Sequence, residues 1–140
     1  MSKASAKGYR GEVEVQAIFD EVDLPTTRPR AGSPEDKGDL FGVPDLTIQV
    51  KNHDDLARSI RDGLAQLVEQ TKNTGTLWGV LCVKRRRKGW LAVMPLAAYV
   101  ALYKEYLTMR RDLTALERLL GKENHHELQA GGGEVRPPTS

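Results

Sequence analysis

The chain has 140 residues, of which 39% are hydrophobic and 29% charged, and its formal net charge is +2. This length suffices for one domain with one hydrophobic core and excludes a second catalytic domain. Because the net charge is small, any case for a nucleic-acid partner depends on where the cations lie. The single cysteine, Cys82, excludes an intramolecular disulfide and a thiolate zinc cage. With no apolar run of membrane-spanning length and no signal-peptide pattern, we expect a cytoplasmic protein.

The first predicted element is a helix over about residues 7–22, because its apolar residues recur at helical spacing. Glu12 lies at the edge of this apolar stripe, whereas Glu14 points towards solvent and is expected to be plain helix surface. The polar stretch 26–38, rich in Pro and Gly, then predicts a short strand near Thr27 and a loop around Ser33. The stripe consists of Val15, Ile18, Phe19 and Val22.

The segment that follows the loop predicts a β-hairpin. Asp39-Leu40-Phe41 forms its first strand, and the turn formers Gly42, Pro44 and Asp45 precede six residues in which apolar and polar side chains alternate. Alternation with period two places every second side chain on the same face. The expected core face carries Leu46, Ile48 and Val50, and the expected opposite face carries Thr47, Gln49 and Lys51.

A second helix, two strands and a third helix are predicted next. The second helix is capped by Asp54 or Asp55 and ends near Gly75. Two short apolar runs predict strands that a basic connection joins, and Pro95 opens the third helix. The runs are Leu77 to Val83 and Trp90 to Met94, and the connection is Lys84 to Lys88.

These elements predict an α/β fold of the order αβββαββα, in which helices flank a mixed β-sheet. One domain is expected over residues 1–121, with its core at about 7–107 and an additional C-terminal helix at about 110–120. The residues 122–140, rich in Gly and Pro towards the end, are expected to form a disordered tail. The apolar stripe Leu113, Leu116 and Leu120 either pairs two subunits or folds back on its own domain.

An acid, an amide and a lysine converge on the predicted hairpin. Asp39 lies on the strand beside Gln49, and Lys51 follows one step along the same face. Carboxylate, amide and carbonyl oxygens, the last from Val50, are ligands that Mg²⁺ prefers. A lysine beside such a cation stabilises negative charge on a phosphate, so the combination indicates phosphodiester hydrolysis.

Asp45 is the alternative acid, since Pro44 and Asp45 spell the first half of a PD-D/E-x-K motif. It lies four residues from Gln49 in the turn or on the same strand, more than about 10 Å away at extended-chain rise. Asp39 is therefore preferred, and Asp45 is expected to stabilise the turn.

The chain resembles the archaeal-type Holliday-junction resolvases and their phage and bacterial relatives, a branch of the PD-D/E-x-K nuclease superfamily. The resemblance covers about residues 7–107 and is carried by short motifs. They are Lys7-Gly8 with Glu12, Arg30-x-Gly32-Ser33, Lys37-Gly38-Asp39-Leu40, Gln49-Val50-Lys51-Asn52, Val83-Lys84-Arg85-Arg86 and Met94-Pro95-Leu96.

The resemblance implies a restriction-endonuclease-like fold in a bacterial or phage-infected cell. It also implies Mg²⁺ as the cofactor, with Mn²⁺ as a substitute, and a homodimer that nicks branched DNA in recombination and repair. Ser33 falls in a loop that contributes to cleavage in such enzymes, and Gln70 resembles a glutamine on the second helix of many nucleases of this fold. The implied metal ligands are Glu12, Asp39, Gln49 and the Val50 carbonyl, and Lys51 is the implied motif lysine.

Gln49 departs from the family pattern, in which most members carry Glu. A neutral oxygen attracts Mg²⁺ less strongly than a carboxylate does, so alternatives stay open. One is a restriction- or repair-type nuclease of the same fold that acts on linear or flapped DNA. Another is a DNA-binding module that has lost cleavage.

Five successive cations between the two late strands repel one another unless phosphates are near, which favours contact with a DNA backbone. The alternative is a solubilising hairpin tip. No Walker-type phosphate loop exists, so no nucleotide cofactor is expected. The residues predicted to bind DNA are Lys7, Arg10, Arg30, Lys37, Lys84, Arg85, Arg86, Arg87 and Lys88.

Overall fold

The computed structural model describes residues 2–30 and 38–131, with side chains as far as residue 122. The predicted loop residues Ser33 and Lys37 lie outside this part of the chain. The chain forms two compact units, Met1–Tyr99 and Val100–Ser140. The elements are α1 (Lys3–Asp20), β1 (Leu46–Lys51), α2 (Leu56–Thr74), β2 (Trp78–Arg85), β3 (Gly89–Val93) and α3 (Leu96–Gly131).

The described strands form one mixed sheet in the order β1-β2-β3, and the chain is therefore an α/β protein. β1 and β2 are parallel, with Gln49 opposite Leu81, and α2 connects them. Parallel neighbours require such a crossover, whereas β2 and β3 are antiparallel and need only a tight turn. Arg87 and Gly89 adopt positive φ angles of 61° and 90° in that turn.

Each face of the sheet is covered by one helix. On the first face, Val15 of α1 packs against Ile48, Val50, Val80 and Cys82. On the second face, Leu67 of α2 packs against Leu81 and Val83. The predicted core face of β1 is thus confirmed, and the opposite face is also buried, because Thr47 and Gln49 are only 1% and 4% exposed.

α2 approaches β2 closely at Gly63. A Cβ atom added to Gly63 would lie 2.5 Å from Cδ1 of Leu81, whose side chain is fully buried. A side chain larger than hydrogen therefore does not fit between this turn of α2 and the sheet without movement of the core.

Two predicted strands before β1 are reduced to isolated bridges. Thr27 pairs with Phe41 and Leu40 pairs with Ile48, both in antiparallel sense. Gly38 and Gly42, with φ angles of 89° and 111°, interrupt the extended backbone on either side of Leu40. The described order is consequently αβαββα rather than αβββαββα.

The C-terminal region also differs from the prediction, because α3 is one continuous helix where two were expected. Residues 108–112 contain neither Gly nor Pro and hence no helix terminator. α3 also continues through Gly121 to Gly131, since one interior glycine costs only about 1 kcal/mol relative to alanine. Residues 132–140 of the predicted tail lie outside the described residues. No helix in the described part of the chain combines the length and apolarity needed to cross a membrane.

Candidate functional site

Two carboxylates and an arginine line a cleft of about 580 Å³ beside α1. Glu12 projects from α1, Asp39 precedes β1, and Arg28 lies on the segment that leaves α1. We call this the carboxylate cleft. Its lining residues are Glu12, Arg28, Pro29, Gly38 and Asp39.

Backbone hydrogen bonds fix Asp39 against the edge of β1 that does not pair with β2. Its amide donates to the Ile48 carbonyl at 3.0 Å, and its Oδ2 accepts from the Val50 amide at 2.8 Å. That amide belongs to the peptide that joins Gln49 to Val50, so the Asp39 carboxylate lies directly beside the predicted motif strand. The Val50 carbonyl points to the same edge, because the N–H and C=O of one residue in a strand face the same way.

Glu12 and Asp39 are close enough to influence each other electrostatically. Partial burial and then the negative charge of Asp39 raise the pKa of Glu12, while Arg28 opposes the rise. The Arg28 guanidinium is 4.0 Å from the Glu12 carboxylate and also lies over the Tyr9 ring, 4.3 Å from its centroid. The carboxylate cleft therefore holds two like charges that one arginine compensates only in part.

Gln49 and Lys51 lie on the other face of β1, towards α2, and neither lines the carboxylate cleft. Gln49 Nε2 donates to Oε1 of Gln66 on α2 at 3.1 Å, and Gln49 Oε1 is buried with no hydrogen-bond partner among the described residues. Lys51 is half-buried and forms no ion pair within the described residues. Gln70, also on α2, is buried.

The described residues contain no group of three or more His, Cys, Asp or Glu side chains placed to hold a metal ion. Within the predicted ligand set, Glu12 and Asp39 supply carboxylates and the Val50 carbonyl supplies a neutral oxygen at the same edge of β1, whereas the predicted ligand Gln49 lies on the other face and is not brought to the cleft. A metal here would depend on two charged oxygens supplemented by neutral ones, a set suited to hard cations.

A second cavity, of about 310 Å³, lies where α1, the end of β1 and the β2–β3 turn meet. Five cations and two carboxylates line it, which leaves a formal charge of +3 with histidine neutral. We call it the basic cavity. Its lining residues are Lys7, Arg10, Glu14, Asn52, His53, Asp54, Lys84, Arg86 and Arg87.

Two of the five cations are paired within the basic cavity. Lys7 Nζ lies 2.6 Å from an Asp54 oxygen, and Lys84 Nζ lies 2.6 Å from Glu14 Oε2, which also accepts a hydrogen bond from Trp90. The hydrogen bonds from these lysines lower the pKa values of both carboxyl groups.

The three arginines of the cavity differ from its lysines. Arg10, Arg86 and Arg87 form no ion pair within 4 Å of any carboxylate in the described ranges, although Arg10 and Arg86 help to lower the pKa values of Glu14 and Asp54 from a greater distance. The lining as a whole keeps its excess of three positive charges, which suits an external anion.

The predicted DNA-binding residues thus fall into two groups. Lys7, Arg10, Lys84, Arg86 and Arg87 come together in the basic cavity, although the first two lie far from the others in sequence. The other predicted residues that the structure describes lie elsewhere. Arg85 donates to the Lys88 carbonyl at 3.3 Å, and Arg30 lines a different cavity.

Sequence reasoning missed three contributions to these sites. Glu14 is surface-exposed as predicted, but it also anchors Lys84 and Trp90, and His53, to which no role was given, lines the basic cavity. Arg28 was given no role in the predicted active site, yet it faces Glu12. Lys7, Arg10 and Glu14 are spaced three and four residues apart, and this spacing indicates a shared helix face.

Comparison of the chain with protein-family models, with curated proteins and with solved structures found no match in any of the three.

Proposed function

We propose that this chain is a divalent-metal-dependent endodeoxyribonuclease that cuts branched DNA, as the resemblance to Holliday-junction resolvases implies. The observation that carries the proposal is the position of the Asp39 carboxylate. This carboxylate accepts a hydrogen bond from the Val50 amide and lies beside the Glu12 carboxylate. A restriction-endonuclease-like arrangement of the helices and the sheet belongs to the same proposal.

The chemistry of the donor set supports a hard cation in the carboxylate cleft. Burial and mutual repulsion make the ionised Glu12 carboxylate unfavourable there, and a divalent cation would relieve both effects. Glu12, Asp39 and the Val50 carbonyl are the residues that would hold it. When bound, such a cation stabilises negative charge on a phosphate and lowers the pKa of a water molecule.

Protein groups around the cleft supply the remaining functions. The Val50 amide fixes the orientation of Asp39, so the carboxylate is pre-organised before a ligand arrives. Lys51 lies on the other face of β1 and does not line the carboxylate cleft, so this arrangement gives no support to its predicted role as the motif lysine. Arg28 supplies a cation on the Glu12 side of the cleft and would face the developing charge of the phosphate.

The basic cavity would grip the DNA backbone near the cleavage site. Lys7, Arg10 and Glu14 lie on one side of α1 and Glu12 on the other, so the helix separates the two cavities. The diameter of a helix is about 10 Å, so a phosphate held in the basic cavity would not be the one held in the carboxylate cleft.

The deciding experiment is cleavage of labelled four-way junctions, flaps and linear duplex in Mg²⁺ or Mn²⁺. We expect the junction to be cut preferentially and Asp39→Asn to abolish cutting while junction affinity is retained. Asp45→Asn is the matched control, because Asp45 has a φ angle of 59° that asparagine tolerates. Equal cutting of linear duplex would instead support a restriction- or repair-type nuclease, and loss of activity in both variants would remove the special role of Asp39.

A DNA-binding module without cleavage is the second candidate. The carboxylate cleft contains only two carboxylates, and Gln49, whose amide contacts Gln66, lies outside it. Calorimetric titration with Mn²⁺ separates the candidates, because a binding module would take up no metal while it still bound the junction. Metal uptake by the wild type would exclude this second candidate.

A further inference from the structure

α3 carries an apolar seam whose members are alternately four and three residues apart. This spacing repeats every seven residues, and a mean period of 3.5 is that of a coiled coil. The position opposite the seam carries a cation in successive heptads, at Lys104, Arg111 and Arg118. The seam consists of Leu102, Tyr106, Met109, Leu113, Leu116 and Leu120.

The seam is exposed to solvent along most of its length. Its last five members are 47–58% exposed, and every residue from 108 to 122 is exposed. A long helix in water gains most of its stability when it buries an apolar face. The exposed stretch of α3 therefore presents an apolar face that another helix could bury.

We propose that the seam of a second copy of this chain covers it, as a parallel, in-register, two-stranded coiled coil from Leu102 to Leu120. In this alignment each of the six seam residues packs against the same residue of the other chain. Leucine at the second core position of the heptad, as at Leu102 and Leu116, is typical of two-stranded coiled coils. This proposal does not depend on the nuclease activity proposed above.

The charged residues that flank the seam distinguish this alignment from its alternatives. In the parallel dimer, Glu105 reaches Arg110 of the partner subunit, and further along the helix Asp112 faces Glu117 of the partner subunit. Symmetry makes the attractive pair and the repulsive pair twice each. In an antiparallel dimer that keeps all six seam residues paired, Arg110 faces Arg110 of the other chain and Asp112 faces Asp112. Both of these contacts are repulsive. An antiparallel dimer shifted so that Arg110 faces Glu117 pairs only four of the six seam residues.

Sedimentation equilibrium of the full chain tests the pairing. We expect a dimer at tens of micromolar and a dissociation constant at least about 100-fold higher for Leu113→Lys/Leu116→Lys, because each chain then places two charges in the interface. Thr114→Lys/Ala115→Lys adds the same two charges to the same turns away from the seam and should remain dimeric. A monomeric wild type, or a dimer that survives the seam variant with its helix content intact, would overturn the proposal.

Charge reversal tests the orientation. We expect Glu105→Arg and Arg110→Glu each to weaken the dimer roughly three- to tenfold, because each turns two attractive pairs into repulsive ones. The double variant should recover most of the loss. Full additivity in the double variant would contradict the parallel alignment.

Discussion

Replacement of Arg10, Arg86 and Arg87 together by glutamine removes the three cations of the basic cavity that form no ion pair within the described residues. Lys7 and Lys84 remain, each 2.6 Å from a carboxylate oxygen. If DNA phosphates occupy this cavity, three charge contacts are lost. Each contact contributes about 0.9 to the slope of log affinity against log salt, so the slope should become shallower by at most about 2.7.

Fluorescence anisotropy of a labelled four-way junction measures this slope, with Ca²⁺ in place of Mg²⁺ to suppress cutting. Between about 50 and 200 mM NaCl, a slope difference of that size means that the wild type loses about 40-fold more affinity than the variant. The variant should also bind more weakly at the lowest salt concentration.

The matched control replaces Arg58, Arg61 and Lys72 by glutamine, which makes the same change in net charge on α2. These side chains are exposed and paired with Asp62 or Glu69, and we expect the control to keep the wild-type slope. If both triple variants flatten the slope equally, affinity responds to net charge alone and the basic cavity is not a DNA contact.

Four further predictions concern the folded state. Because the pKa of Glu12 is raised by burial and by Asp39, the wild type should lose stability as the pH rises through that pKa, whereas Glu12→Gln should not. The melting temperature of the variant should therefore exceed that of the wild type near neutral pH and match it in acid. Gly63→Ala should destabilise the fold by about 1–3 kcal/mol in urea denaturation because its Cβ would overlap Leu81. Gly8→Ala, with no atom within 4 Å of the new Cβ, should stabilise it by about 0.5–1 kcal/mol. Burial raises the pKa of Cys82 to about 11, so a thiol reagent should react far more slowly with the native chain than in urea.

The faces of β1 were predictable from sequence because a strand alternates with period two whatever surrounds it. Ile48 and Val50 lie in the core, as their apolar character requires. What covers the opposite face was not predictable. Burial of Gln49 beneath α2 depends on the crossover between β1 and β2, and no local pattern near residue 49 encodes it.

The membership of the basic cavity was likewise only partly predictable from the sequence. The run from Lys84 to Lys88 is evident in the sequence, but alternation along β2 and the turn divides it between the faces of the sheet. Only its members on the α1 side, among them Lys84, join Lys7 and Arg10. Residues more than seventy positions apart meet there because α1 packs on the same face of the sheet. This contact belongs to the tertiary structure, and no local sequence pattern encodes it.

The length of α3 was underestimated because helix ends were assigned where amphipathic stripes appeared to change. Residues 108–112 contain no helix terminator, so the end expected before Leu113 has no local cause and α3 runs through it.

The hydrogen bonds that hold Asp39 also occupy the outer edge of a border strand. β1 forms one border of the sheet, and unpaired N–H and C=O groups on such a border are a template for aggregation with other chains. Here the Ile48 carbonyl accepts from Asp39 and Leu40, and the Val50 amide donates to the Asp39 carboxylate. Asparagine at position 39 keeps an oxygen for that amide, whereas alanine would leave it open to intermolecular pairing.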